Sequence, residues 1–287
     1  LQLLPNLNVG GVERGTVEIA DALVKAGHRA IVVSAPGRLV NELDACGAEH
    51  IAMPIGKKSL LTLGYIRKLR KVIVDNQVDI VHARSRLPAW IGWLAIKPLE
   101  RPTRPHWVTT VHGPYTVNRY SEIMMSGEAV IAISQFIKDY ISNNYDRISL
   151  EKVKIIHRGI DQTVFNTSYT PSAEWLSQWR SSSFVEQGKK ILLFPGRLTR
   201  WKGQHQFIDM MDKLKNTDNP PIALFAGSQT DPTSNYESEL RQQVQQRGLS
   251  DLVHFLGQRN DLLDLFSVAD ISYSLPETPE AFGRTTL

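Results

Sequence analysis

Short runs of apolar and β-branched residues alternate along the chain with longer stretches in which apolar positions recur every three or four residues. That alternation is the signature of βαβ units built on a parallel sheet. The runs predict strands at residues 1–4, 29–34, 79–83, 107–112 and 129–134, with helices between them. The first helix is expected over 12–26, because Gly27 offers a C-terminal cap just ahead of the next strand. A second series follows an irregular stretch at 158–171, with strands at 190–195, 222–226, 253–256 and 270–275. Inside it Phe207, Met211 and Leu214 stand at helical spacing, and a polar, Gln-rich helix is expected over 236–247. The restart of the pattern predicts two doubly wound domains, residues 1–165 and 166–287. Leu1 lies within an apolar run and Leu287 in the opening turns of a helix, so both ends are expected to be cut from a longer protein.

Length agrees with this division, since 287 residues at 42% hydrophobic content suffice for two cores. The single cysteine, Cys46, cannot form an intramolecular disulfide, and with no leader-like segment this points to a reducing cytosolic compartment. No apolar run reaches the roughly 18 to 20 residues that span a bilayer; the longest candidate, 87–96, stops at Lys97 and Pro98. Charge adds one asymmetry. Residues 1–165 carry 21 Lys and Arg against 15 Asp and Glu, whereas the remainder carries 12 against 14. A basic first half suits an anionic surface, whether membrane leaflet, acidic glycolipid or nucleic acid.

Four segments carry candidate chemistry. Gly10-Gly11 follows the first strand, where glycines let a ligand phosphate approach backbone N–H groups at a helix start; the plainer reading is a tight turn. The three-glycine dinucleotide fingerprint is absent, which disfavours a nicotinamide enzyme. His112, before Gly113, ends a strand at the carboxyl edge of a parallel sheet, where it can bind a sugar hydroxyl or titrate near neutral pH. In Gly196-Arg197-Leu198-Thr199-Arg200-Trp201-Lys202-Gly203 a glycine turn leads into a helix with two cations five residues apart. Arg197 offers a fork and Lys202 a point charge, a combination suited to clamping a diphosphate. Last, Glu280 is expected to lead a helix after the final strand, with the backbone amides of Ala281, Phe282 and Gly283 open to an anionic ligand.

Taken in order and spacing, these segments resemble the retaining glycosyltransferases of family 4, which have the GT-B fold. The resemblance also covers Ile156-His157-Arg158-Gly159-Ile160-Asp161 with Phe165 at the domain junction, and Phe255-Leu256-Gly257. It implies two Rossmann-like domains facing across a cleft, the C-terminal one incomplete, with a nucleotide-diphosphate sugar held by the second and an acceptor by the first. Residue by residue, it implies that Arg197 and Lys202 hold the diphosphate, Gly10 and Gly11 close over it, Glu280 binds a donor-sugar hydroxyl and His112 contacts the sugar. The nucleoside base is expected near the loop after Gly257. No metal or cofactor is expected, since no Asp-x-Asp pair is present and the two cations take the metal's part.

Two departures stand out. Arg158 occupies a position that is commonly asparagine in the family, and the second glutamate of the family's pair, eight residues after Glu280, falls beyond Leu287. For the acceptor, Lys57-Lys58 precedes an amphipathic basic segment through Ile73, containing Leu60, Leu61, Arg67, Lys68, Arg70 and Lys71, which suits an anionic leaflet or an ordinary solvated face equally. The expected reading is transfer to a lipid-linked glycan such as lipopolysaccharide core, at the inner face of the cell membrane and with no nucleic-acid partner. Its rivals are a sugar-nucleotide epimerase, a transferase with a soluble acceptor, and a nucleotide-sugar-binding protein without turnover.

Overall fold

The computed structural model describes residues 1–8, 10–229 and 233–286, and divides into two compact units, Leu1–Arg158 and Gly159–Leu287. The division falls at Arg158, ahead of the Phe165 at which the sequence pattern places it. Val9 of the glycine segment and Leu287 lie outside the described residues.

The first unit contains strands β1 (Gln2–Asn6), β2 (Ile31–Ala35), β3 (Glu49–Ala52), β4 (Ile80–Ala83), β5 (His106–Val111), β6 (Ala129–Ala132) and β7 (Val153–Ile155). They form a parallel sheet in the order β3-β2-β1-β4-β5-β6-β7. Helices α1 (Gly11–Lys25), α2 (Val40–Ala45), α3 (Tyr65–Asp75), α4 (Arg86–Ile96) and α5 (Gln135–Asn144) make the crossovers. Strand order reverses between β1 and β4, and in such sheets ligands bind beyond the carboxyl ends at that point. Gly10 and Gly11 follow β1 there, and Arg84 follows β4. Gly27, at φ +83°, ends α1 in the left-handed conformation that L-residues resist, and its N–H returns to the Val24 carbonyl at 2.9 Å.

The second unit repeats the start of this topology. Its strands β8 (Ile191–Pro195), β9 (Ile222–Ala226), β10 (Val253–Gly257) and β11 (Ile271–Ser272) are parallel in the order β10-β9-β8-β11, with helices α6 (Ala173–Arg180), α7 (Gln204–Leu214), α8 (Tyr236–Gln246) and α9 (Leu262–Val268). Side chains alternate between two cores. Leu192, Phe194, Ala223 and Phe225 pack with Phe207 of α7 and Leu240 of α8, while Leu193, Ile222 and Leu224 pack with Trp179 of α6 and Leu265 of α9. Both faces are therefore covered, which is why β8 and β9 are apolar at almost every position. Each of the fully buried phenylalanines 194, 207 and 225 stabilises this core by about 2 to 3 kcal/mol.

Several expected elements are corrected. β3 and β7 were not expected from the pattern; each is only four or three residues long and carries exposed or polar positions such as Glu49, His50 and Lys154. The last strand is confined to Ile271–Ser272, because the chain beyond it turns to pack Leu275 on Gly203. The basic segment starts as a 3-10 turn, Leu60–Gly64, before α3, so Lys57 and Lys58 precede the helix.

Candidate active site

In the second unit the site grows from the carboxyl ends of β8, β9 and β10. Gly196 follows β8 at φ +134°, and Gly227 follows β9 so closely that a Cβ would overlap the Gly196 carbonyl. Gly257 ends β10 at φ +66° with open space where a Cβ would project. Bare backbone thus lines this end of the sheet, the condition for close approach of a ligand.

From Gly196 the chain passes Arg197, makes a 3-10 turn at Arg200–Lys202, and enters α7 through Gly203. Gly203 adopts φ +77°, and any Cβ would run into the backbone carbonyl of Leu275. The loop after β11 is thereby laid directly on the turn that presents Lys202. Two contacts pin it: the Glu277 N–H donates to the Trp201 carbonyl at 2.8 Å, and His205 meets the Glu277 carboxylate at 2.9 Å. This arrangement brings Lys202 against Glu280, ammonium to carboxylate, with both side chains largely buried. Residues 78 positions apart in sequence form one charged pair at the switch point of the sheet. Arg197 is placed differently. Its side chain is exposed and, among the described residues, makes no ion pair, while its carbonyl accepts from Gln204 at 2.9 Å.

Glu280 does not lead a helix, contrary to expectation. The chain bends through Ala281 and Phe282 to a 3-10 turn at Arg284–Thr286, because Gly283 at φ +76° cannot sit in a right-handed helix. A Cβ on Gly283 would lie 3.2 Å from the Glu280 carboxylate, so that carboxylate folds back over the glycine. Past Gly257, the loop is fixed by Asp261, which accepts from Trp175 Nε1 and Arg259 Nε, each at 2.8 Å.

The first unit holds the second group of residues. His112 follows β5, and its loop is anchored where the Tyr115 N–H donates to the Tyr140 hydroxyl on α5 at 3.1 Å. Arg158 Nη2 donates to His112 Nδ1 at 2.6 Å, and His112 Nε2 is buried without a partner. Burial first, then the cations Arg84 and Arg158 and the neighbouring His82, hold the His112 imidazole far below its usual range. Of the two roles left open by the sequence, binding a hydroxyl or titrating near neutral pH, this environment favours the first, with the imidazole neutral. Gly11, at the first turn of α1, lies beside the same arginine, since a Cβ there would be 2.7 Å from Arg158 Nη1. Gly10 would meet only the flexible Glu13 side chain.

Two residues of this group have no role in the motif reading. Arg158 is named there only as a departure from the family pattern; Arg84, which is not named, is 3% exposed and donates from Nη1 to Gln2 Oε1 at 3.2 Å. Burial, followed by repulsion from Arg158, lowers its guanidinium to about 9, against the opposing pull of Glu18 and Glu13. The available signal was an arginine at a strand's carboxyl end beside the topological switch point.

Comparison with known proteins decides what this constellation belongs to. The sequence pattern of Glycosyltransferase Family 4 matches residues 9–164, and that of Glycosyl transferases group 1 matches 177–287. The chain belongs to glycosyltransferase family 4. A glycosyltransferase from Rickettsia africae is 33% identical and superposes with a TM-score of 0.84, over 99% of this chain and 74% of the other. HepE of Anabaena, solved in complex with UDP-glucose, shares the fold at 23% identity and a TM-score of 0.80, over 99% and 75% of the two chains. The lipopolysaccharide core biosynthesis mannosyltransferase LpsB of Rhizobium meliloti is 29% identical over 46% of this chain and 36% of its own. This glycosyltransferase therefore has the two Rossmann-like units of the GT-B fold and transfers sugar from a nucleotide-diphosphate donor to a glycan acceptor. Among its described residues, no three His, Cys, Asp or Glu converge as a metal site, and no helix is long and apolar enough to cross a membrane.

Proposed function

We propose that this transferase works with retention of configuration and delivers its sugar to a lipid-linked glycan of the lipopolysaccharide-core type, on the cytoplasmic face of the membrane. The observation that carries the donor side is the buried Lys202–Glu280 pair beside the glycine-lined ends of β8 to β10. Lys202 and Arg197 hold the diphosphate and stabilise negative charge as it leaves, a contribution of about 3 to 4 kcal/mol when such a preorganised donor is removed. Glu280 fixes a hydroxyl of the donor sugar, and the backbone of 281–283 receives the anionic group. Gly257 opens the shelf for the nucleoside. Gly10 and Gly11 add no side chains of their own at the start of α1, leaving its backbone amides for the diphosphate, and His112 contacts the sugar.

Retention is supported by what these groups cannot do. His112 is neutral with Nδ1 already engaged, and Glu280 is engaged by an ammonium, so neither is a ready base or nucleophile. The acceptor hydroxyl then attacks from the side of the leaving diphosphate and gives its proton to a phosphate oxygen. On the acceptor side, Leu60 and Leu61 are 86% and 84% exposed, flanked by exposed Lys57, Lys58, Arg67, Lys68 and Lys71. Apolar residues that protrude from a basic surface suit insertion into an anionic leaflet. LpsB, whose name places it in lipopolysaccharide core synthesis, supports the same acceptor class.

Nucleoside diphosphate release from a panel of nucleotide-sugars, with lipopolysaccharide-core or soluble glycan acceptors, tests the reading. Core-stimulated release, lost in the Arg197→Ala, Lys202→Ala double variant while folding is retained, is the expected result. Stimulation by soluble acceptors alone would overturn the lipid-linked assignment, and donor binding without turnover on any acceptor would overturn transfer by this chain. The anomeric configuration of the product, read by NMR, tests retention directly.

A further inference from the structure

A guanidinium carries only donors, so the 2.6 Å contact between Arg158 Nη2 and His112 Nδ1 requires a lone pair on Nδ1. A neutral imidazole has one N–H, and it must then be on Nε2, the buried atom with no partner among the described residues. Leaving such a donor unsatisfied is costly unless a ligand oxygen completes it. From this geometry we infer that Arg158 is a positioning residue that locks His112 as a neutral Nε2–H donor, held for an oxygen of the bound sugar and closed to base or nucleophilic roles. The sugar as the source of that oxygen rests on the proposed function; the lock does not.

The surroundings agree. The charged and titratable groups facing the ring are Arg84 beyond β4, Arg158 beyond β7 and His82 on β4, and the Tyr115 hydroxyl accepts from the His112 backbone N–H at 3.4 Å. Burial and two cations oppose a second proton on the ring. Gly11 belongs to the same device, because a Cβ there would lie 2.7 Å from Arg158 Nη1 and push the guanidinium from its place. The glycine expected to admit a phosphate therefore also admits an arginine.

The test uses the ligand-free 287-residue chain with nitrogen-15 histidine, reading the long-range proton–nitrogen correlations of His112, assigned by their loss in His112→Gln. The wild type is expected to show Nε2–H with bare Nδ1, unchanged from about pH 8 down to about pH 5.5. In Arg158→Ala the tautomer should become mixed and protonation should rise about tenfold at a given pH, one unit of titration. Arg158→Lys, which keeps a donor-only cation, should restore the wild-type pattern. Gly11→Ala, whose methyl must shift the guanidinium at Nη1, should move tautomer and titration in the direction of Arg158→Ala and carries the test if that variant does not fold. An Nδ1–H tautomer in the wild type, or a folded Arg158→Ala with unchanged tautomer and titration, would overturn the lock. If the lock holds but His112→Gln transfers sugar at the wild-type rate, the sugar contact fails instead.

Discussion

Replacing Lys202 with methionine separates the two parts that its ammonium plays. The side chains of Lys202 and Glu280 are 14% and 15% exposed, so the variant strands a carboxylate that has little water to replace its partner. Removing one member of a buried pair costs about 3 to 5 kcal/mol, and the remaining exposure here brings the expectation to about 2 to 3 kcal/mol. Urea unfolding followed by circular dichroism measures that loss. Adding Glu280→Gln removes the stranded charge and should recover most of the stability. Transfer should behave otherwise. Loss of the ammonium at the leaving diphosphate should raise the barrier by about 3 kcal/mol, about 150-fold in rate, in the single variant and by at least as much in the double, which also alters the Glu280 contact with the donor sugar. Nucleoside diphosphate release, corrected for folded fraction, provides the comparison. If the double variant recovered transfer together with stability, Lys202 would be a structural partner of Glu280 and its assignment to the diphosphate would fail.

Gly203→Ala forces a left-handed residue to carry a Cβ against the Leu275 carbonyl, so unfolding free energy should fall by at least about 2 kcal/mol; an unchanged denaturation midpoint would refute the tight packing of that loop. Changing Leu60 and Leu61 both to glutamate should lower partitioning onto phosphatidylglycerol vesicles by at least about a hundredfold, since each leucine contributes about 1.5 to 3 kcal/mol on burial and the new charges repel the surface. Equal sedimentation of variant and wild type with the vesicles would remove the membrane reading. His82 supplies a pH prediction: burial first, then Arg84, holds it down to about 3 from an ordinary 6.5. Below pH 6.5 the unfolded chain binds the proton that the folded chain refuses, so stability falls with pH, by about 2 kcal/mol at pH 5 from this residue alone. His82→Gln should flatten that limb in urea titrations at pH 7 and pH 5; an unchanged slope would show that the ring is not held neutral.

Fold class was legible because its signal is local and repeated. Nine strands separated by helices, five in a first series and four in a second, can be read from period alone, most plainly where strands are buried on both faces, as β8 and β9 are. The same reasoning explains what was missed. β3 and β7 owe their pairing to Ile31–Ala35 and Ala129–Ala132, not to apolar patterns of their own, and a strand defined by its neighbour leaves no mark in its own sequence. The end of β11 shows the same limit: the apolar residues through Leu275 read as a strand, whereas packing on Gly203 diverts them into a loop.

Site chemistry divides along the same line. The segment from Gly196 to Gly203 is contiguous, so glycine conformation and cation spacing could be read together, but its pairing with Glu280 depends on chain ends brought together by the β8–β11 crossover. Arg158 is the sharper case. Its guanidinium meets His112, 46 positions earlier, and lies where a side chain at Gly11, far earlier still, would crowd it. Neither relation has a spacing that sequence could reveal, because each is set by which strands the sheet places side by side. A histidine at the end of a strand therefore left two chemistries open in the sequence: residue type fixes the range of chemistry, and the arginine across the sheet selects one state from it.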